Sequence, residues 1–152
     1  MLTREQIAAR VARELPDGAS VSLDPAWADE IKAKLPAGVS LQEPAQGEVD
    51  VAVIAPESIT VAGEFPGDVR AAKTVFAIIA QHRSADGISR VLKADASLPN
   101  KAQRVISNLA LFDVTPEGLV MREVAQGVSA LEVQLESDSP LLASDELRLM
   151  NV

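Results

Sequence analysis

The sequence of 152 residues contains no cysteine and no tyrosine, and it has one tryptophan and one histidine. Without cysteine the chain has no disulfide, no thiolate nucleophile and no cysteine-based zinc site. A lone histidine, His82, is a poor basis for a metal centre, because protein zinc sites draw on several ligands. We therefore expect neither a metal nor a tightly bound cofactor.

Long hydrophobic runs and an excess of positive charge are also missing. No apolar run approaches the ~20 residues that a membrane-spanning helix needs, and the N-terminus lacks the apolar core of a signal peptide. The formal net charge of −8 disfavours binding to nucleic acid or to acidic membranes. The sequence predicts a cytoplasmic protein with neither as a partner.

The charge is distributed unevenly along the chain. Residues 65–104 carry a net charge of +4, whereas residues 113–152 carry −6. One interpretation is two differently solvated faces of one domain. The other is an anionic ligand near the middle segment and a contact with another protein near the acidic C-terminal segment, and composition does not decide between them.

The periodicity of apolar residues predicts an α/β fold. Thr3 and Gln6 have capping-box spacing at the start of an amphipathic helix, and Ser129 and Glu132 repeat that spacing near the C-terminus. Near-continuous apolar runs at residues 49–54 and 74–80 are typical of parallel strands covered on both faces. Turn residues at 115–118 predict an antiparallel hairpin, and a short turn from Ser144 is expected to close the chain. With no repeat or linker, we predict one domain over residues 1–152.

Taken by themselves, few residues in the sequence indicate a catalytic or ligand-binding site. The sequence has no G-x-S-x-G, G-x-G-x-x-G or P-loop motif, which excludes those routes to hydrolase, dinucleotide and nucleotide chemistry. His82 follows a predicted strand, at the edge where open α/β sheets bind ligands, although an exposed loop histidine is the simpler interpretation. Glu43 is the loop carboxylate that we consider first as a functional residue. The alternative interpretation is that it is an ordinary solvated acid.

The stretch RVISNLALFDVTPEGLVMREVAQGV, residues 104–128, strongly resembles the C-terminal signature of the β subunit of 3-oxoacid (succinyl-CoA:3-ketoacid type) CoA-transferases. Upstream, Gln81, His82 and Arg83 stand where that family has Glu-His-Thr. The resemblance implies a CoA-transferase-like, or sugar-isomerase-like, mainly parallel sheet flanked by helices. It implies coenzyme A as a substrate, with His82 and Arg83 as substrate-binding residues.

The same resemblance implies an altered active site. Glu43 follows Leu41-Gln42 where the family has the catalytic glutamate of S-E-N-G, but Pro44 comes next and the motif is absent. The family's glycine-rich loops are also missing, and such loops supply the close backbone approach that a weak carboxylate nucleophile needs. We therefore expect a β-subunit-like scaffold of the acyl-CoA:3-oxoacid transfer class with a truncated, degenerate site and Glu43 as its candidate nucleophile.

Two further functions stay open, namely a small-anion-sensing domain of the same fold and a non-catalytic structural or regulatory subunit. The partner is expected to be an α-subunit-like protein of the CoA-transferase type or a second copy. In either case we expect the contact to use apolar residues near Trp27 or in the strand over residues 109–112.

Overall fold

An eight-stranded mixed sheet forms the centre of the structure. The computed structural model describes residues 1–35, 38–41, 47–67, 69, 71–83, 86–94, 97–137 and 139–151. In these residues the strands are β1 (Ser20–Leu23), β2 (Ser40–Leu41), β3 (Val49–Ile54), β4 (Ile59–Thr60), β5 (Glu64–Phe65), β6 (Ala72–Ile79), β7 (Val91–Leu92), β8 (Asn100–Lys101), β9 (Arg104–Ser107), β10 (Ala110–Thr115), β11 (Gly118–Val124) and β12 (Leu142–Leu149). The helices are α1 (Arg4–Glu14), α2 (Ala28–Lys32) and α3 (Ala130–Leu135).

The sheet is mainly parallel, as the sequence predicts. Its strand order is β12-β11-β10-β9-β6-β3-β1-β2. Strands β2, β1, β3, β6 and β9 pair in parallel, and β10 runs against both of its neighbours. The predicted hairpin is confirmed, because Thr115 pairs with Gly118 across the turn between β10 and β11. Two further two-stranded sheets are formed by β4 with β7 and by β5 with β8.

The apolar runs form the core because both faces of the central strands are covered. The last four residues of β6, 76–79, are all buried, which a sheet with one solvated face would not allow. The predicted capping box is present at α1, where the Thr3 hydroxyl accepts a hydrogen bond from the Gln6 amide and the Gln6 side chain accepts one from the Thr3 amide. Helix α1 packs against α2 and β9. No helix among the described residues is long and apolar enough to cross a membrane.

Two sequence-based expectations are wrong. The segment after Ser144 is not a closing turn but part of β12, which pairs in parallel with β11 at the edge of the sheet. The strand over residues 109–112 does not offer the expected partner surface, because these residues are buried in the chain's own core, as is Trp27 itself. Most of β12 is exposed, so its residues carry no hydrophobic periodicity from which a strand could be predicted.

A chain of ion pairs connects α1 with the C-terminal half of the sheet. Arg10, 7% exposed, pairs with Glu14 at 2.5 Å and with Glu123 at 2.7 Å. Glu14 and Asp113 both pair with Arg104. The hydrogen bonds from Arg10 hold the pKa of Glu123 below its ordinary value.

The Glu123→Gln substitution should therefore lower the free energy of unfolding by about 2 kcal/mol. The buried Arg10 guanidinium would lose a charged partner, whereas the side chain at position 123 would keep nearly the same volume. Chemical denaturation measures the loss. The control is Glu30→Gln, which breaks the exposed Arg4–Glu30 pair and should cost less. Equal losses in the two variants would contradict a structural role for the Arg10 pair.

Candidate functional site

The carboxyl ends of the parallel strands bring four separated segments to one edge of the sheet. Asp24 follows β1, Ala55 follows β3, residues 80–82 follow β6 and Asn108 follows β9. In open α/β sheets this edge is where ligands bind. We call it the carboxyl edge.

A groove of about 340 Å³ opens at the carboxyl edge between the ends of β3 and β6. Its walls are residues 55–57 and 78–81, together with Trp27 and Arg90. Its large apolar side chains, those of Trp27 and residues 78–79, are almost fully buried. Its polar side chains are Gln81 and an ion pair in which the Arg90 guanidinium lies 3.1 Å from the Glu57 carboxylate. The Glu57 side chain is 86% exposed, whereas that of Arg90 is 29% exposed. We call this the β3–β6 groove.

Asp24 positions Trp27 in the wall of the β3–β6 groove. One carboxylate oxygen of Asp24 accepts the Ala26 amide at 2.9 Å, and the other accepts the Ala55 amide at 3.3 Å. The Trp27 amide donates to the Asp24 carbonyl oxygen at 2.9 Å. The Arg4 guanidinium lies 3.9 Å from the centre of the indole ring, a cation–π contact. The tryptophan is thus held from both sides and has little freedom to move.

His82 is buried behind the carboxyl edge, where it connects three elements. Its Nδ1 lies 3.0 Å from the Ser107 hydroxyl at the end of β9, and its Nε2 lies 2.7 Å from the Ser137 hydroxyl after α3. The Ser137 hydroxyl donates to the Val133 carbonyl, so it accepts from Nε2–H and leaves Nδ1 to accept from Ser107. Burial of the neutral ring lowers the pKa of His82 to about 4.

Arg83 ties the segment after β6 to the C-terminus of α3. It donates to the Glu136 carboxylate, to the Gly87 carbonyl at 2.6 Å and to the Leu135 carbonyl at 3.1 Å. A second groove of about 490 Å³ lies beside it, with Leu109 and Val128 among its lining residues. The Arg83 guanidinium already has several partners within the chain, and it also compensates the exposed carbonyl groups at the end of the helix.

The structure describes the positions of His82 and Arg83 but not that of Glu43. Glu43 lies outside the described residues, two positions beyond the end of β2. His82 does follow a strand end, but the expectation of an exposed loop histidine is wrong because its side chain is fully buried. Substrate contact by His82 or Arg83 stays a prediction. In the described part of the chain, no group of three or more acidic or histidine side chains could hold a metal ion.

The sequence did not reveal the residues of the β3–β6 groove. Trp27, Glu57 and Arg90 come from three distant segments, and no motif connects them. The one available signal was the position of Glu57, which comes shortly after the apolar run 49–54 and therefore near the carboxyl end of a predicted strand.

No family model matches the sequence. Among solved structures, the chain is similar to the decarboxylase AibA/AibB, with a TM-score of 0.67 and 9% identity over 100% of this chain and 90% of that one. It is similar to an acyl-CoA transferase, YdiF, from Escherichia coli O157:H7, with a TM-score of 0.75 and 15% identity over 97% of this chain and 43% of that one. Glutaconate coenzyme A-transferase from Acidaminococcus fermentans gives a TM-score of 0.63 and 11% identity, over 98% of this chain and 89% of that one. The chain therefore has a CoA-transferase-like fold.

Proposed function

We propose that this chain is a CoA-transferase β-subunit-like protein of the acyl-CoA:3-oxoacid transfer class, formed by one domain over residues 1–152. It binds CoA thioesters at the carboxyl edge and does not complete transfer on its own. The observation that carries the proposal is the open β3–β6 groove at the ligand-binding edge of a CoA-transferase-like sheet. Coenzyme A is a substrate here and not a resident cofactor, and the cytoplasm is the proposed compartment.

The proposed lack of turnover is supported by how the polar groups at the carboxyl edge are used. The Asp24 carboxylate, the His82 ring and the Arg83 guanidinium all have hydrogen-bond partners within the chain. A carboxylate that attacks a thioester needs fixed placement and donors aimed at the developing oxyanion. We propose that an α-subunit-like partner or a second copy supplies what this chain lacks, with Glu43 as the nucleophile in the assembly.

A second candidate function is a non-catalytic structural or regulatory subunit. The observation that favours it is the burial of His82, whose two ring nitrogens already bond to Ser107 and Ser137. A histidine held in this way stabilises the scaffold without needing a ligand.

Co-purification with an affinity-tagged full chain from the native host distinguishes the two functions. We expect an α-subunit-like protein or a second copy in the purified complex, and exchange of CoA between an acyl-CoA and a labelled carboxylate by that complex only. A complex without exchange would refute the catalytic proposal and leave the non-catalytic role.

The Glu43→Gln substitution in the same complex tests the nucleophile. We expect exchange to fall below detection, because the amide cannot form the anhydride and thioester intermediates. The matched control is Glu48→Gln, an exposed residue at the amino end of β3 and so at the opposite edge of the sheet. Retained exchange in the Glu43 variant would exclude Glu43 as the nucleophile.

A further inference from the structure

We infer that a groove between α1 and β12 binds a phosphate group, either as the free anion or as part of a larger ligand. The groove has a volume of about 260 Å³, and the residues that line it are Arg10, Arg13, Glu123, Arg148, Leu149 and Asn151. We call it the α1–β12 groove. None of these residues lines the β3–β6 groove, so this inference does not depend on the binding of CoA thioesters there.

The one carboxylate that lines the α1–β12 groove is already occupied within the described part of the chain. Arg10 donates from Nε to one oxygen of Glu123 at 3.0 Å and from Nη2 to the other at 2.7 Å. Arg10 is 7% exposed and also pairs with Glu14. Both oxygens of Glu123 are therefore turned toward Arg10, and the charges of this bidentate pair offset each other.

The other two arginines of the groove keep their charge. Arg148 is the register partner of Glu123 between β11 and β12, and the Arg13 guanidinium donates to the Asn151 carbonyl, which is a neutral group. Both side chains are exposed, and neither forms an ion pair with a carboxylate among the described residues. Their charges also contribute to the low pKa of Glu123. Two guanidinium groups without a carboxylate partner thus line one groove of a chain whose net charge is −8.

Phosphate is the anion that suits this pair of arginines. The planar guanidinium is always charged, and its fork of N–H donors matches the spacing of phosphate oxygens. Phosphate carries between one and two negative charges near neutral pH and presents several strong acceptor oxygens, so it can engage both arginines at once. A monocarboxylate such as acetate has one charge and two oxygens, and it should bind more weakly.

Calorimetry on the full chain tests this inference with sodium phosphate and sodium acetate at matched ionic strength. We expect phosphate to bind at least about tenfold more tightly than acetate. Arg13→Gln and Arg148→Gln should each weaken phosphate binding by about tenfold or more, because each removes a charged hydrogen-bond donor. Both side chains are exposed, and circular dichroism checks that the variants fold.

The matched control is Arg122→Gln. This substitution removes an arginine of β11 that pairs with Asp113 and does not line the groove, so phosphate affinity should stay at the wild-type value. Equal affinity for phosphate and acetate would overturn the inference. Unchanged phosphate affinity in both the Arg13 and the Arg148 variants would also overturn it.

A titration of phosphate in the presence of CoA distinguishes the two sources of the phosphate group. Competition that disappears in the Arg148 variant would place a phosphate of CoA in the groove, whereas independent binding would support a site for the free anion. Phosphate binding by a chain that does not bind CoA would refute the proposed function and support the phosphate site. Calorimetry that detects no phosphate binding while CoA still binds independently of Arg13 and Arg148 would overturn this inference alone.

Discussion

Replacing Gly63 by alanine should lower the free energy of unfolding by about 3 kcal/mol, through two effects that add. Gly63 joins β4 to β5 at φ +78°, a backbone conformation that costs residues other than glycine about 1–2 kcal/mol. A Cβ at this position would also lie 2.6 Å and 2.7 Å from the two methyl carbons of Val114 on β10. The Gly63 amide donates to the Thr60 carbonyl and its carbonyl accepts the Ala102 amide, so the loop has little freedom to move away.

The contact with Val114 can be separated from the backbone strain. Gly18 has φ +76° with open space where a Cβ would lie, so Gly18→Ala should cost only the strain. In a Val114→Ala background, Gly63→Ala should cost less than it does in the wild type, because the clashing methyl groups are gone. Denaturant titration of these variants measures both differences. Losses of equal size at Gly18 and Gly63, with no coupling to Val114, would contradict the packing of this loop against β10.

Stability should also decrease in acid, and His82 should account for a large share of the decrease. The pKa of His82 falls from 6.5 to about 4 on folding, so the folded state favours the neutral ring. Above pH 6.5 the ring is neutral in both states and the shift has no effect. As the pH falls from 6.5 towards 4 the unfolded state takes up a proton that the folded state does not, and the resulting loss is on the order of 3 kcal/mol. Below pH 4 the loss is complete.

Comparison with a His82→Gln variant isolates this contribution from that of the carboxylates. At pH 7 the variant should be less stable than the wild type, because Ser107 and Ser137 lose their shared partner. Between pH 6.5 and 4 the gap should narrow by roughly 3 kcal/mol, because only the wild type carries the histidine titration. A gap that stays constant over this range would show that His82 is not held neutral by burial.

The sequence predicted the elements whose signals are local. The apolar run over β3, the turn between Thr115 and Gly118, and the capping residues Thr3 and Ser129 each lie within a few residues, and all correspond to elements of the structure. Edge strand β12 escaped prediction because its exposed positions accept charged residues as readily as a turn does.

The site depends on contacts between distant residues, which no local pattern records. His82 is buried because Ser107, 25 residues away, and Ser137, 55 residues away, satisfy its two nitrogens. The local sequence around His82 contains neither partner, so it gives no sign that this histidine differs from an exposed loop histidine. The β3–β6 groove likewise combines distant segments, because Trp27, Glu57 and Arg90 all line it.

We expect the isolated chain to bind CoA thioesters at the carboxyl edge without forming a covalent intermediate. The most direct test incubates the isolated full chain with butyryl-CoA, treats it with borohydride and examines its peptides by mass spectrometry. A glutamyl-CoA thioester would be reduced at the glutamate side chain, which marks the residue involved. We predict no modified glutamate in any peptide, although calorimetry on the same sample detects binding. Reduction at Glu43 or at any other glutamate would contradict this expectation, because it would show that the isolated chain forms the covalent intermediate.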